Sequence, residues 1–174
     1  MNRLIINNVL RGLGLIFFQI IVLNNIYLGG YVTPFLYILF ILMLPTSTNK
    51  SLLVFLSFLS GLLVDVFCNS LGFHAFAATL VGFFRILFAD KILTKDDNAD
   101  FDAPSIQTIP VGKYITFSAI LVFTYCLTYY TIETFNFDNS SKLFIQTVLS
   151  SISTWVLVVG CQLIFIKKKG KGLK

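Results

Sequence analysis

Apolar residues run in blocks along this chain, and short polar groups separate the blocks instead of alternating with residues inside them. Six blocks stand out, at about 4–23, 28–44, 51–67, 71–89, 114–132 and 144–166. A helix that crosses a bilayer takes about 20 residues, within a range of about 17–25. The pattern therefore predicts an all-α integral membrane protein with six transmembrane helices in a single domain. The second and third blocks sit at the short end of the range. The second, "LGGYVTPFLYILFILML", carries Pro34 near its start, where proline is tolerated in a first helical turn, and Pro45 closes it. The first block is expected to be a retained helix. Its basic start is thin, only Arg3, and "LNNIYLGG" follows where a signal peptide would show a small-residue cleavage site.

Composition agrees with lipid as the solvent. Hydrophobic types make up 56% of the 174 residues and charged types 12%, with a mean hydropathy of +0.85. A typical soluble domain carries about 25% charged residues. The net charge of +5 raises nucleic acid as a partner, but five of the thirteen Lys and Arg residues lie in the last eight positions, "KKKGKGLK". A basic tail at 167–174 after an apolar block reads as a cytoplasmic anchor facing anionic lipid, and no nucleic-acid partner is expected. Three cysteines, widely spaced, form no disulfide framework, and one histidine makes a metal site or other cofactor unexpected.

The basic residues also orient the chain. With both termini in the cytoplasm, Arg3, Arg11, Lys50, Arg85, Lys91, Lys95, Lys113 and the five tail lysines lie on or towards the inner side, and Lys142 alone lies outside. Leaving the second block out as a span would move Arg3 and Arg11 outside, so the bias favours six spans over five. The one long loop, 90–113, is then cytoplasmic. It holds four acids between Asp96 and Asp102 and two prolines, and reads as a solvated linker or a docking loop. Tyr125, Tyr129 and Tyr130 fall where an interfacial aromatic belt is expected, at the outer end of the fifth span.

Within "GLLVDVFCNSLGFHAFAATLVGFFR" the third and fourth blocks meet at a tight turn at about 68–70. Asp65 and His74 flank that turn almost symmetrically, so antiparallel helices bring them to one depth. An intramembrane carboxylate is costly without a partner. Two readings stay open: the two residues hydrogen-bond across the hairpin and fix it, or they contact a partner protein or small ligand. Asn69 or Ser70 is a candidate cap for the fourth helix, and Gly61, Gly72 and Gly82 allow close helix approach. Arg85 is expected to snorkel to inner headgroups. Arg11 is expected to do the same or to pair inside the bundle. No nucleophile motif accompanies His74, and Asp65 is the one acid well within a span, so no enzymatic activity is expected.

These same residues resemble the rod shape-determining MreD family. The family's Gly-Leu-x-x-Asp element is matched by Gly61-Leu62-Leu63-Val64-Asp65, and its Leu-Gly-x-x-Ala element by Leu71-Gly72-Phe73-His74-Ala75. The upstream "NNIYLGGYVTPFLYILFILMLP" is similar to the family's second span. The resemblance covers about 11–85, while the last two blocks match in size and hydropathy. It implies a six-helix bundle similar to the S-component of energy-coupling-factor vitamin transporters, in the bacterial inner membrane. It implies a scaffold of the cell-elongation machinery that binds the single-span protein MreC, and through it MreB filaments and peptidoglycan synthases. A substrate-binding S-component of a small-molecule importer is the alternative; it would need a polar cavity open to the outside, for which Asp65, His74, Asn24 and Asn25 are the available groups.

Overall fold

The structure is a computed structural model, and it describes residues 2–25, 32–92, 104–106, 108–134 and 140–165. Its regular elements are helical: α1 (Asn2–Ile21), a 3-10 turn (Leu23–Asn25), α2 (Ile38–Leu42), α3 (Lys50–Cys68), α4 (Phe73–Ile92), α5 (Val111–Thr134) and α6 (Ser140–Phe165). Three helices are long and apolar enough to cross a membrane: Lys50–Cys68, Val111–Thr134 and Ser141–Ile164. Leu10–Asn25 and Phe73–Ala89 are shorter apolar helices. This is compatible with a membrane protein. So are the outward faces, where Phe17, Phe55, Val66, Phe76, Phe144, Ile152 and Ile164 are exposed.

Five of the six expected segments correspond to long helices, but the segment expected at 28–44 does not. Residues 28–31 lie outside the described residues, and of the remainder only Ile38–Leu42 is α-helical. The cause is local. Pro34 has no N–H to give to a helix, and its ring disfavours the helical region for Thr33. Five residues rise about 7.5 Å, far short of the roughly 30 Å hydrocarbon core.

Helices α3 to α6 pack in chain order, α3 on α4, α4 on α5 and α5 on α6, while α1 lies against α3 and α2. The broken segment fills the centre. Phe35, Leu36, Tyr37, Ile38, Leu39, Ile41 and Leu42 are among the most buried side chains of the core, with Tyr37, Ile38, Ile41 and Leu42 at 0% exposure. The least regular stretch is thus the most enclosed.

The α3–α4 hairpin is built from close contacts. A Cβ on Gly61 would lie 2.6 Å from Ala75 Cα, and one on Gly82 would lie 2.5 Å from Ser57 Oγ. Asn69 ends α3 in the left-handed region at φ 54°, and Gly72 follows at φ 91°. Residues 90–92 end α4, and loop 90–113 is otherwise described only at 104–106 and 108–113. There it is not a free linker: Pro104 and Ile109 are buried, and Ser105 and Thr108 close a hydrogen-bonded turn with Ser105 N donating to Thr108 Oγ1 at 2.9 Å. The acids of that loop and the basic tail 167–174 lie outside the described residues.

Candidate functional site: a polar seam through the bundle

Asp65 stands at the turn end of α3 and is 3% exposed. Its Oδ1 accepts from Ser70 Oγ at 2.5 Å and from His74 N at 3.1 Å, and its Oδ2 accepts from Ala75 N at 2.8 Å. His74 and Ala75 are the second and third residues of α4, whose amides have no partner inside the helix. A carboxylate at this end also faces the favourable end of the helix dipole. Asp65 therefore caps α4 from the neighbouring helix. The cap expected of Asn69 or Ser70 is replaced by this arrangement: Asn69 closes α3, and Ser70 buttresses the carboxylate.

The contact across the hairpin thus runs from Asp65 to the His74 backbone. The imidazole turns to α5, where Nδ1 lies 2.6 Å from Tyr125 Oη. Tyr125 Oη lies 2.7 Å from Tyr37 Oη, and Tyr37 also donates a long bond, 3.5 Å, to His74 O. With the Tyr37 proton given to His74 O, one consistent assignment has Tyr125 donating to Tyr37 Oη and His74 Nδ1–H donating to Tyr125 Oη. Around this chain the rings form a box. Phe35 lies 4.9 Å from Tyr129, 5.1 Å from Tyr125 and 5.6 Å from His74 between centroids, and His74 lies 4.6 Å from Tyr129. Such pairs prefer tilted or offset geometry, as here.

The non-helical backbone at 33–36 is served by side chains from both sides. From α6, Ser150 Oγ accepts from Thr33 N at 3.1 Å and Thr154 Oγ1 accepts from Phe35 N at 2.9 Å. From α1, Gln19 Oε1 accepts from Leu36 N at 2.7 Å, while its Nε2 donates to Pro34 O at 2.9 Å and to Asn24 Oδ1 at 2.8 Å. Tyr130 Oη bonds both Ser150 Oγ, at 2.6 Å, and Thr33 Oγ1. Irregular backbone at membrane depth is tolerated where protein encloses it and satisfies its polar groups. The four residues Gln19, Ser150, Thr154 and Tyr130 meet that condition.

At the far end of the seam Arg85 donates from Nη2 to Leu44 O. It is 2% exposed, so the expected snorkelling does not occur. The guanidinium turns inward because the broken segment ends there with a buried carbonyl to satisfy, a favourable placement for a cation. Its Nε has no partner among the described residues. Arg11 is exposed on α1, so it does not pair inside the bundle.

These contacts order the segment lengthwise. Thr33 meets Tyr130 and Ser150, Phe35 meets Thr154, Tyr37 meets Tyr125 and His74, and Leu44 meets Arg85. The partners descend α4, α5 and α6 together. Residues 32–44 therefore run the length of the seam, as extended chain and then as helix. Four extended residues and nine at helical rise reach roughly 27 Å, close to a hydrocarbon core.

The structure brings Gly61, Asp65, Gly72 and His74 together at one end and leaves Arg11 and Arg85 apart from them and from each other. Sequence reading missed Tyr37, Gln19, Ser150 and Thr154. The available signals were a glutamine in an apolar block and two hydroxyls one turn apart. Among the described residues no three His, Cys, Asp or Glu side chains gather as a metal site. No protein-family model, curated protein or solved structure matches the chain.

Proposed function

We propose that this chain is a non-catalytic scaffold of the bacterial inner membrane, of the MreD type, that grips the transmembrane helix of an MreC-like partner. Through that partner it connects MreB filaments to peptidoglycan synthases and so helps to set cell shape. The observation that carries this reading is how the motif is used. Gly61, Asp65 and His74 are spent inside the hairpin with Val64 and Ala75, while Leu62 (37% exposed) and Leu71 (89%) of the motif face outward beside the flanking Val66 (69%) and Phe76 (54%). Asp65, held by three donors, is a shaping residue here, and the neighbouring apolar side chains are the gripping surface. Between helices in lipid, association rests on packing and a few polar contacts.

In this reading the broken segment counts as one crossing. Six crossings with both termini in the cytoplasm then satisfy the Lys and Arg bias.

The test is recovery of partners from native membranes with a tagged chain. A single-span partner should accompany the wild type, and a Val66→Ala, Leu71→Ala, Phe76→Ala triple variant should insert normally but lose it and lose rod shape. Retention of the partner by the triple variant would move the interface to another face. If depletion of the protein spares cell shape and abolishes uptake of a vitamin, the importer reading replaces the scaffold.

A further inference from the structure

The end of α5 and the start of α6 line a cavity of about 250 Å³ with Glu133, Thr134, Lys142, Leu143 and Gln146. It lies one turn beyond Tyr129, whose ring lies 4.6 Å from that of His74, and so belongs to the same end as the Asp65 hairpin. It also lies where two membrane-length helices, Val111–Thr134 and Ser141–Ile164, finish and begin, which is the depth of lipid headgroups. A carboxylate and an ammonium line one cleft, and Glu133 also accepts a long bond, 3.4 Å, from Tyr129 Oη. Sites for drug-sized ligands take roughly 300–1,000 Å³. This one is smaller, the size of a headgroup and not of a whole vitamin.

We propose that this cleft holds a zwitterion, a primary ammonium against Glu133 and an anionic oxygen group against Lys142, and that its occupant is the phosphoethanolamine headgroup of a membrane lipid. The two charges of the cleft match the two of the headgroup. A primary ammonium donates hydrogen bonds to Glu133 that a quaternary one lacks, so phosphatidylethanolamine is preferred over phosphatidylcholine. Leu143 offers the glycerol backbone an apolar edge. This inference stands apart from the scaffold reading and from which side of the membrane the cleft faces.

The full chain, purified and equilibrated with equal amounts of phosphatidylethanolamine, phosphatidylcholine and phosphatidylglycerol, is examined by native mass spectrometry for the lipids it keeps. The wild type should retain the ethanolamine lipid about fivefold over the choline lipid, the scale of two partly exposed charged contacts. Glu133→Gln and Lys142→Gln each should bring the ratio close to one. Both side chains are exposed, so both variants should remain folded, checked by an unchanged thermal transition. Equal retention of the three lipids, or a preference that survives both substitutions, would overturn the proposal. Preference for phosphatidylglycerol would overturn it too, leaving Lys142 as a simple anion contact. Saturable binding of soluble phosphoethanolamine or glycine, undiminished by excess lipid, would assign the cleft to a soluble zwitterion and overturn the lipid occupant.

Discussion

Asp65 shows what a single buried carboxylate accomplishes when both of its oxygens are used. Removing its carboxylate strands two buried amides and the Ser70 hydroxyl. Each stranded donor costs about 1–3 kcal/mol, and a lost helix cap costs about 0.5–2 kcal/mol. Asp65→Ala is therefore expected to lower stability by about 2–4 kcal/mol. Asp65→Asn should lose less, because one oxygen remains, and Ser70→Ala least, about 1 kcal/mol. Thermal unfolding of the three variants in one detergent measures the order; a neutral Asp65→Ala would contradict the capping role. Gly61→Ala tests the other half of the hairpin. Its new methyl meets backbone, which cannot rotate away, so a loss of about 1–3 kcal/mol is expected. The need of Asp65 for a partner was readable from the sequence. Which partner was not: nine residues across a turn put the amide and the ring of His74 equally within reach, and the choice falls to packing by Tyr125 and Tyr129 on α5.

At the scale of elements the instructive case is the second apolar block. Hydropathy and length predicted a helix, and hydropathy is indifferent to backbone conformation when every side chain is buried. Pro34 was visible but was read as a first-turn residue, since nothing local says that α1 and α6 will supply hydrogen bonds to extended chain. The other five blocks were legible because a long apolar helix satisfies its own backbone and asks little of its neighbours. The dependence of the broken segment on outside side chains gives a prediction. Gln19→Leu removes partners of both Leu36 N and Pro34 O and should destabilise the protein by about 2–4 kcal/mol. Thr154→Val keeps shape and removes one acceptor, so about 1–3 kcal/mol is expected. In denaturant titrations equal, negligible effects of the two would mean that the segment is held by packing alone.

For the whole molecule, the all-helical class was legible in the sequence, because long apolar blocks without strand alternation leave helices as the way to satisfy their own backbone. The sequence conveyed little of the interior, where polar residues select partners by three-dimensional proximity. Gln19, Ser150 and Thr154 lie far apart in the chain, and only the assembled bundle makes them one group. Topology is testable at this scale. With the broken segment as a crossing, a Gly170→Cys reporter, in a chain otherwise without cysteine, should resist a membrane-impermeant thiol reagent in intact cells and react after permeabilisation. Reaction in intact cells would place the tail outside and contradict six crossings with both termini in the cytoplasm.

The hydrogen bonds from Thr33 N to Ser150 and from Phe35 N to Thr154 join positions 117 and 119 residues apart. A chain emerging from the ribosome makes Thr33 long before it makes Ser150. Throughout that interval the amides of an early segment have no permanent acceptor, and hydrocarbon supplies none. The segment must wait in the insertion machinery, at the lipid–water boundary, or in a provisional helical form that the last span later breaks. Biogenesis of this protein is consequently completed from its far end, and quality-control proteases have a defined species to recognise. A nascent chain halted after Thr134 should be degraded rapidly in pulse-chase labelling, although α1 and α3 to α5 are already made.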